Sequence, residues 1–205
     1  QVYLNSPLRQ QEVDAAVMLV LWSDLYGLQQ TALINEASIA GMGLSLGLDE
    51  GLRLSISGFT DKQPELLIAV LAGLRVEPTQ QALDQAIDRF VRGLENRKRE
   101  LPFRQLGRTL SSLTRTGFYD EASLLDALAE ITPARFNAFV DRVLDTALVR
   151  VYLFGNYDEA FANDLAQTLQ RALPEERAGA TGGARVSGSN FRHSETAGGF
   201  AECVP

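Results

Sequence analysis

Histidine and cysteine, the side chains most used to bind transition metals, are almost absent from this sequence. His193 and Cys203 are the only residues of their types among 205. A zinc site built from imidazole and thiolate ligands needs several such residues, so the chain cannot assemble one. A single cysteine also excludes an intrachain disulfide, and this slightly favours the cytoplasm over the periplasm as the compartment.

Long apolar runs and an excess of positive charge are also missing. The longest apolar run, residues 15–22, is far shorter than the roughly 20 residues that a membrane-spanning helix needs. The net charge of -7 would repel a phosphate backbone. The hydrophobic share of 45% and the charged share of 22% are typical of globular proteins. We therefore expect a folded domain that binds neither a membrane nor nucleic acid.

Several short stretches match catalytic signatures only in part. The His-Ser-Glu sequence at 193–195 begins like a zinc-deaminase motif, but the Pro-Cys-x-x-Cys pair that this chemistry needs does not follow. A serine or cysteine triad would also depend on His193, in a tail with nothing rigid to orient it. The Gly-Met-Gly sequence at 41–43, with Gly47, lacks the spacing of a dinucleotide loop and predicts a turn before a hairpin. No catalytic, cofactor-binding or metal-binding residue is assigned.

Charged residues on the predicted helices have simpler interpretations. The basic run at 97–99 falls at a predicted helix C-terminus, where cations interact favourably with the helix dipole. Two carboxylate pairs with i, i+4 spacing lie on single helix faces and could share a proton or a cation, but each has an arginine nearby, so solvated surfaces are favoured. These residues are Asp84 with Asp88 near Arg89, and Asp141 with Asp145 near Arg142.

Periodicity predicts strands scattered among helices. Leu52, Leu54 and Ile56 alternate with polar residues, which is typical of a strand with one buried face. Asp120 and Thr132 are suited to cap the helices that follow them. The predicted strands are 2–4, 44–46, 51–59 and 148–154, and the predicted helices are 12–24, 29–40, 61–74, 79–99, 103–113, 133–144 and 158–173. This order predicts an α+β fold in which helices cover one face of a sheet.

The composition changes after Pro174. Residues 175–205 are rich in Gly, Ser, Ala and Arg, and such a segment cannot bury enough apolar surface to offset the entropy of ordering. We expect one domain at 1–174, followed at 175–205 by a linker or the start of another domain. The first residue is Gln1 rather than methionine, which leads us to expect a piece of a longer protein.

Four stretches in order, together covering about residues 2–173, carry a family resemblance. The most specific is Leu-Arg-Leu-Ser-Ile-Ser-Gly-Phe-Thr-Asp-Lys-Gln-Pro-Glu-Leu-Leu at 52–67, a strand followed by a Gly-aromatic turn, a polar-Lys step and a leucine-rich helix. The others are Asn-Glu-Ala-Ser-Ile-Ala-Gly-Met at 35–42, the segment 89–105 with Arg-Phe, Glu-Asn-Arg and Pro-Phe-Arg-Gln, and the segment from Ile-Thr-Pro at 131–133 to Gly-Asn at 155–156. In this order they resemble the insulinase/pitrilysin family of inverted-motif zinc peptidases.

The resemblance implies the non-catalytic third domain of such a peptidase, with an antiparallel-rich sheet covered by helices. In this family four domains of one fold enclose a substrate chamber, and only the first carries the zinc motif His-x-x-Glu-His. Zinc would then lie in a missing N-terminal half, and the partners would be that half and a peptide substrate. The bacterial peptidase of pyrroloquinoline quinone biosynthesis is a narrower match, with a precursor peptide as substrate. Two alternatives stay open: an inactive assembly subunit of the same fold, and a helical interaction module without a sheet.

Overall fold

Strands and helices are mixed along the chain in the computed structural model, which describes residues 1–6, 8–48, 51–155 and 157–172. The strands are β1 Val2–Asn5, β2 Gly43–Leu48, β3 Gly51–Ser57 and β4 Leu148–Val151. The helices are α1 Leu8–Gln11, α2 Val13–Gln29, α3 Thr31–Ile39, α4 Gln63–Ala72 after a 3-10 turn at Thr60–Lys62, α5 Gln80–Arg97, α6 Pro102–Thr114, α7 Glu121–Leu128, α8 Pro133–Thr146 and α9 Glu159–Ala172.

The four strands form one antiparallel sheet in the order β2-β3-β1-β4. Val2 pairs with Leu54 on one side and with Val151 on the other, so the first strand of the chain lies inside the sheet. β3 and β4 therefore belong to one sheet, and a helical module without a sheet is excluded. The predicted α+β class with an antiparallel sheet is confirmed.

Helix α2 lies at the centre of the core and packs against the sheet. Trp22 and Tyr26 are both fully buried on it. The polar group of each side chain is hydrogen-bonded to the backbone of α4 or of the residues just after it. The Trp22 indole N–H donates to the Leu74 carbonyl at 2.9 Å, and the Tyr26 hydroxyl donates to the Val70 carbonyl at 2.5 Å. Because a buried polar group without a partner is costly, these two bonds fix how α2 and α4 pack.

The ends of α2 and β4 differ most from the prediction, while the other predicted ends agree within two residues. Helix α2 continues past Asp24 to Gln29, because Leu25 and Tyr26 are still buried while Asp24 pairs with an arginine at the surface. Strand β4 ends at Val151 rather than Phe154, and Phe154 is 97% exposed. The last pair of its ladder with β1 is Val151 opposite Val2.

The predicted caps of two helices are confirmed. The Asp120 carboxylate accepts a hydrogen bond from the Ser123 backbone N–H at 2.9 Å, and this bond holds the pKa of Asp120 below its usual range. The Thr132 hydroxyl accepts from the Arg135 N–H at 3.3 Å, and Pro133 occupies the first turn of α8. Side-chain oxygens satisfy backbone donors that the helix itself leaves free, so these residues define where α7 and α8 begin.

Some predictions from the sequence fall outside the described residues. His193, Cys203 and the whole of 175–205 lie there, so the domain boundary at 174 stays a prediction. Within the part of the chain that the structure describes, no helix has both the length and the apolar character needed to cross a membrane.

Candidate functional site

The first question is whether any metal-binding or catalytic cluster forms. Among residues 1–6, 8–48, 51–155 and 157–172, no group of three or more His, Cys, Asp or Glu side chains is placed to hold a metal ion. His193 and Cys203 are not described, so the absence of catalytic, cofactor-binding and metal-binding residues from the whole chain stays a prediction.

The carboxylate pairs found in the sequence lie on exposed helix surfaces. Asp84 on α5 accepts a hydrogen bond from the Gln80 side-chain amide at 2.7 Å. Asp141 on α8 forms an ion pair with Arg75, with 3.2 Å between the Arg75 Nε and an Asp141 carboxylate oxygen. Asp84 and Asp141 thus each have a surface partner of their own, as is common on solvated helix faces.

The two arginines near those pairs have partners on other elements. Arg89 of α5 pairs with Asp24 of α2 at 2.6 Å, and Arg142 of α8 pairs with Glu12, just before α2, at 2.7 Å. A third arginine, Arg135, pairs with Asp14. These part-exposed pairs hold α5 and α8 in place around α2, with at most about 1 kcal/mol expected from each.

The glycine-rich segment at 41–43 is the turn that the sequence predicts. Gly41 has a φ of +74°, in the left-handed region that favours glycine. The next residue, Met42, is buried in the core, and β2 begins at Gly43. No helix N-terminus follows this turn, so it lacks the geometry of a phosphate-binding loop.

A cleft of about 660 Å³ opens where β1 and β4 meet α4 and α9. We call it the β4 cleft. Its wall is mixed: apolar and aromatic side chains cover only slightly more of it than polar groups do, and Gln1, Asn5 and Arg150 are among the polar residues. It is lined by Val2, Leu54, Ile56 and Val151 from the strands, Gln63 and Leu67 from α4, Phe161 and Leu165 from α9, and Tyr152, Phe154 and Tyr157 between β4 and α9, among others.

The polar centre of this wall is Gln63, which is buried at the first residue of α4. Its amide nitrogen donates to the Gly58 carbonyl at 3.0 Å, and its amide oxygen accepts from the Tyr157 hydroxyl at 2.7 Å. The Tyr157 ring in turn stacks on Phe161, with 4.9 Å between ring centroids. Gln63 therefore joins the turn after β3 to the segment before α9. Sequence reasoning assigned no role to Gln63 or Tyr157, because no local pattern marks a contact between residues 94 positions apart.

Strand β4 borders the cleft and is an edge of the sheet. It pairs with β1 on one side, and the described residues provide no strand on its other side. The free backbone groups of an edge strand can pair with an extended peptide. Tyr152 and Phe154, directly after β4, are exposed next to it. Taken together, the cleft and this edge are suited to binding an extended peptide.

The sheet face away from the helices carries a row of aligned residues across all four strands. The pairing register places Gly47, Arg53, Tyr3 and Arg150 side by side. The two arginines are exposed, and the Tyr3 ring makes an edge-on contact with Tyr152, with centroids 5.5 Å apart. This face is therefore a polar and cationic surface continuous with the rim of the β4 cleft.

Comparison with known proteins identifies the family. Residues 1–127 match the model of the middle or third domain of peptidase M16. The chain belongs to this family. The predicted resemblance to insulinase/pitrilysin peptidases is thereby confirmed, and the predicted third domain agrees with a model that describes a middle or third domain.

Relatives of this M16 domain are much longer proteins. Protease 3 of Shigella flexneri is 26% identical over 171 residues, which cover 83% of this chain and 18% of that protein. Insulin-degrading enzyme of Drosophila melanogaster is 28% identical over 159 residues, which cover 77% and 16%. The crystal structure of pitrilysin superimposes with a TM-score of 0.77 at 26% identity, covering 83% of this chain and 18% of that one. The chain thus spans less than a fifth of the length of these relatives.

Proposed function

We propose that this chain is a non-catalytic, chamber-forming domain of a zinc metalloendopeptidase that cleaves peptides. The observation that carries the proposal is the match of residues 1–127 to the middle or third domain of peptidase M16. Protease 3 and insulin-degrading enzyme, by their names, are proteolytic enzymes, and each is more than five times as long as the aligned region. The activity accordingly belongs to a larger polypeptide of which this domain is a part.

In this proposal zinc is held outside the chain, in an N-terminal half that supplies the motif His-x-x-Glu-His. M16 peptidases use zinc, and the described residues offer no cluster of ligands for it. The two histidines of the motif place imidazole nitrogens on the metal, and bound zinc lowers the pKa of its water for attack on a peptide bond. The domain described above contributes the wall of the space around that site.

The surfaces of the domain support a role in peptide contact. The β4 cleft offers apolar and aromatic side chains next to a free strand edge, and the open sheet face offers Arg53 and Arg150 on either side of Tyr3. An extended peptide can bind such an edge through its main chain, while its side chains enter a neighbouring pocket. A chamber wall needs binding surfaces of this kind and no catalytic groups.

The first test uses the product of the complete reading frame. We expect His-x-x-Glu-His upstream of Gln1, one zinc per polypeptide by metal analysis, and cleavage of insulin that stops when a chelator removes the metal. The purified 205-residue chain should bind no stoichiometric zinc and cleave nothing. A reading frame without the motif, with no zinc in its product, would sink the peptidase proposal and point to an inactive assembly subunit of the same fold.

A second test addresses the chamber itself. In the complete product, a photoreactive benzoylphenylalanine replaces Tyr152 at the rim of the β4 cleft, or Ile39, which is 88% exposed on α3. We expect insulin to crosslink at position 152 and not at the control position 39. Crosslinking at both positions, or only at 39, would contradict a chamber wall at this cleft.

A narrower substrate is the precursor peptide of pyrroloquinoline quinone. It rests on the family resemblance alone, since the names of the compared relatives do not refer to it. Cleavage of this peptide more efficiently than insulin in the same assay would support it, and the absence of cleavage would remove it.

A further inference from the structure

Helix α6 carries its apolar side chains on the outside of the domain. Phe103, Leu106, Leu110 and Leu113 follow helical spacing, so they lie on one face, which we call the α6 stripe. Their side chains are 67%, 70%, 58% and 80% exposed, and α6 has no buried residue. An amphipathic helix at the surface of a globular protein usually turns its apolar face toward the core. The outward apolar face of α6 therefore requires an explanation.

The more sheltered face of α6 is polar. Arg108, Ser111 and Ser112 are half-buried there, whereas the stripe is exposed. Arg108 is ion-paired with Glu100, and the Ser111 and Ser112 hydroxyls donate to carbonyls of their own helix at 2.9 Å. The inward side is thus satisfied with polar partners, and turning the helix over would bury Arg108. The orientation with the stripe outward is built into the domain.

The surroundings of the stripe are strongly basic in an acidic chain. Residues 97–115 contain six basic side chains and a single acidic one, Glu100, although the whole chain has a net charge of -7. The guanidinium of Arg104 lies over the Phe103 ring, 5.9 Å from its centroid, so cationic and apolar surface are adjacent. The basic residues are Arg97, Lys98, Arg99, Arg104, Arg108 and Arg115.

We propose that the α6 stripe is the docking surface of this domain for another domain of the same polypeptide, through an apolar patch edged with carboxylates. Two observations select this occupant: over four-fifths of each compared relative lies outside the region matched here, and the matched model describes a middle or third domain, which has neighbours in its chain. Charge complementarity to residues 97–115 requires the acidic edge. The inference rests on the proposed function in placing the domain within a longer peptidase.

Cysteine accessibility in the complete gene product tests the docking. Leu110→Cys and Leu113→Cys place a thiol in the stripe, and Gln105→Cys places one elsewhere on the same exposed helix, with Ile39→Cys as a control on α3. Cys203 is replaced by Ser throughout, and rates of reaction with an uncharged, water-soluble maleimide are corrected for the parent protein. We expect the stripe thiols to react at least about tenfold more slowly than both controls, because a covered site reacts only when it opens.

Each other outcome overturns the docking. Equal rates at 110, 113 and 105 mean that nothing covers the stripe. Protection that disappears on dilution means a second copy, and protection that needs anionic vesicles means a membrane surface. The zinc and cleavage assays test the peptidase proposal separately. Slowly reacting thiols in the stripe of a product without zinc would contradict the peptidase proposal and support the docking. Rapidly reacting thiols in the stripe of an active peptidase would contradict the docking and leave the peptidase proposal supported.

Discussion

Buried side chains with one polar end, such as Trp22, Tyr26 and Gln63, connect the parts of this domain. Each donates a hydrogen bond to a backbone carbonyl in another segment: at Leu74, Val70 and Gly58. Such bonds contribute modestly when made and cost more when one partner is removed. These side chains therefore fix how the segments pack against each other, in addition to filling the core.

Replacing Gln63 tests this at the wall of the β4 cleft. In Gln63→Leu, the Gly58 carbonyl and the Tyr157 hydroxyl both lose their partner, and we expect the free energy of unfolding to fall by about 1–3 kcal/mol. Urea denaturation measures it. Gln80→Leu is the matched control, because Gln80 is exposed and its change should stay within about 0.5 kcal/mol. Equal effects of the two substitutions would contradict the role of Gln63.

The buried hydroxyl of Tyr26 should make the stability of the fold depend on pH in the alkaline range. Burial raises the pKa of the Tyr26 hydroxyl well above its ordinary value of 10.0, so the folded state keeps the proton where the unfolded state loses it. The contribution of Tyr26 is therefore full below pH 10.0 and is lost as the pH rises above it. We expect the wild type to lose stability relative to Tyr26→Phe above this pH, by at most about 1.4 kcal/mol per pH unit. Urea denaturation measures the free energy of unfolding of both proteins. The same difference between them at pH 8 and at pH 11 would contradict this prediction.

At the scale of elements, α8 and α6 show what local spacing predicts. In α8 the five apolar residues at i, i+3, i+4, i+7 and i+8 from Phe136 to Leu144 are all buried, as expected. The same kind of spacing in α6 also forms a helix, but its apolar side is exposed. The spacing of apolar residues predicts that a helix forms, because it is a local property of the sequence. What covers its apolar face depends on parts of the protein far away in sequence.

Two glycines allow a matched test of strand and helix packing. A methyl group on Gly51 would overlap the Leu4 carbonyl oxygen where β3 pairs with β1, whereas one on Gly93 of α5 would meet open space. We expect Gly51→Ala to destabilise the fold by about 1–3 kcal/mol. Gly93→Ala should stabilise it by about 0.5–1 kcal/mol, since alanine favours helix interiors. Thermal unfolding compares them, and a stable Gly51→Ala variant would contradict the close strand approach.

At the scale of the molecule, the fold class and the family were predictable, and the binding surface was not. The hairpin of β2 and β3 pairs segments that are neighbours in the sequence, so the turn residues between them predict it. The β4 cleft instead unites Val2, Leu54, Gln63, Val151 and Phe161 from distant parts of the chain. No spacing along the sequence encodes such a meeting, because it depends on which strands become neighbours in the sheet.

The domain boundary can be tested by limited proteolysis. We propose that the domain ends at residue 174 and that 175–205 is a linker or the start of another domain, because its composition cannot bury enough apolar surface to order itself alone. A broad-specificity protease should cut first within 175–205 and leave a fragment that still unfolds cooperatively. Mass spectrometry locates the cuts, and first cuts within 1–172 would contradict the boundary.

The inner position of β1 has a consequence during synthesis. The ribosome makes β1 before the other three strands of the sheet, yet one of its two neighbours, β4, ends at Val151. Until β4 has emerged, one side of β1 offers unpaired backbone groups, which are a template for unwanted pairing with other chains. Contacts between the two ends of a domain also slow folding. A nascent chain stalled before residue 148 should therefore aggregate more readily than one released after β4 has closed the sheet.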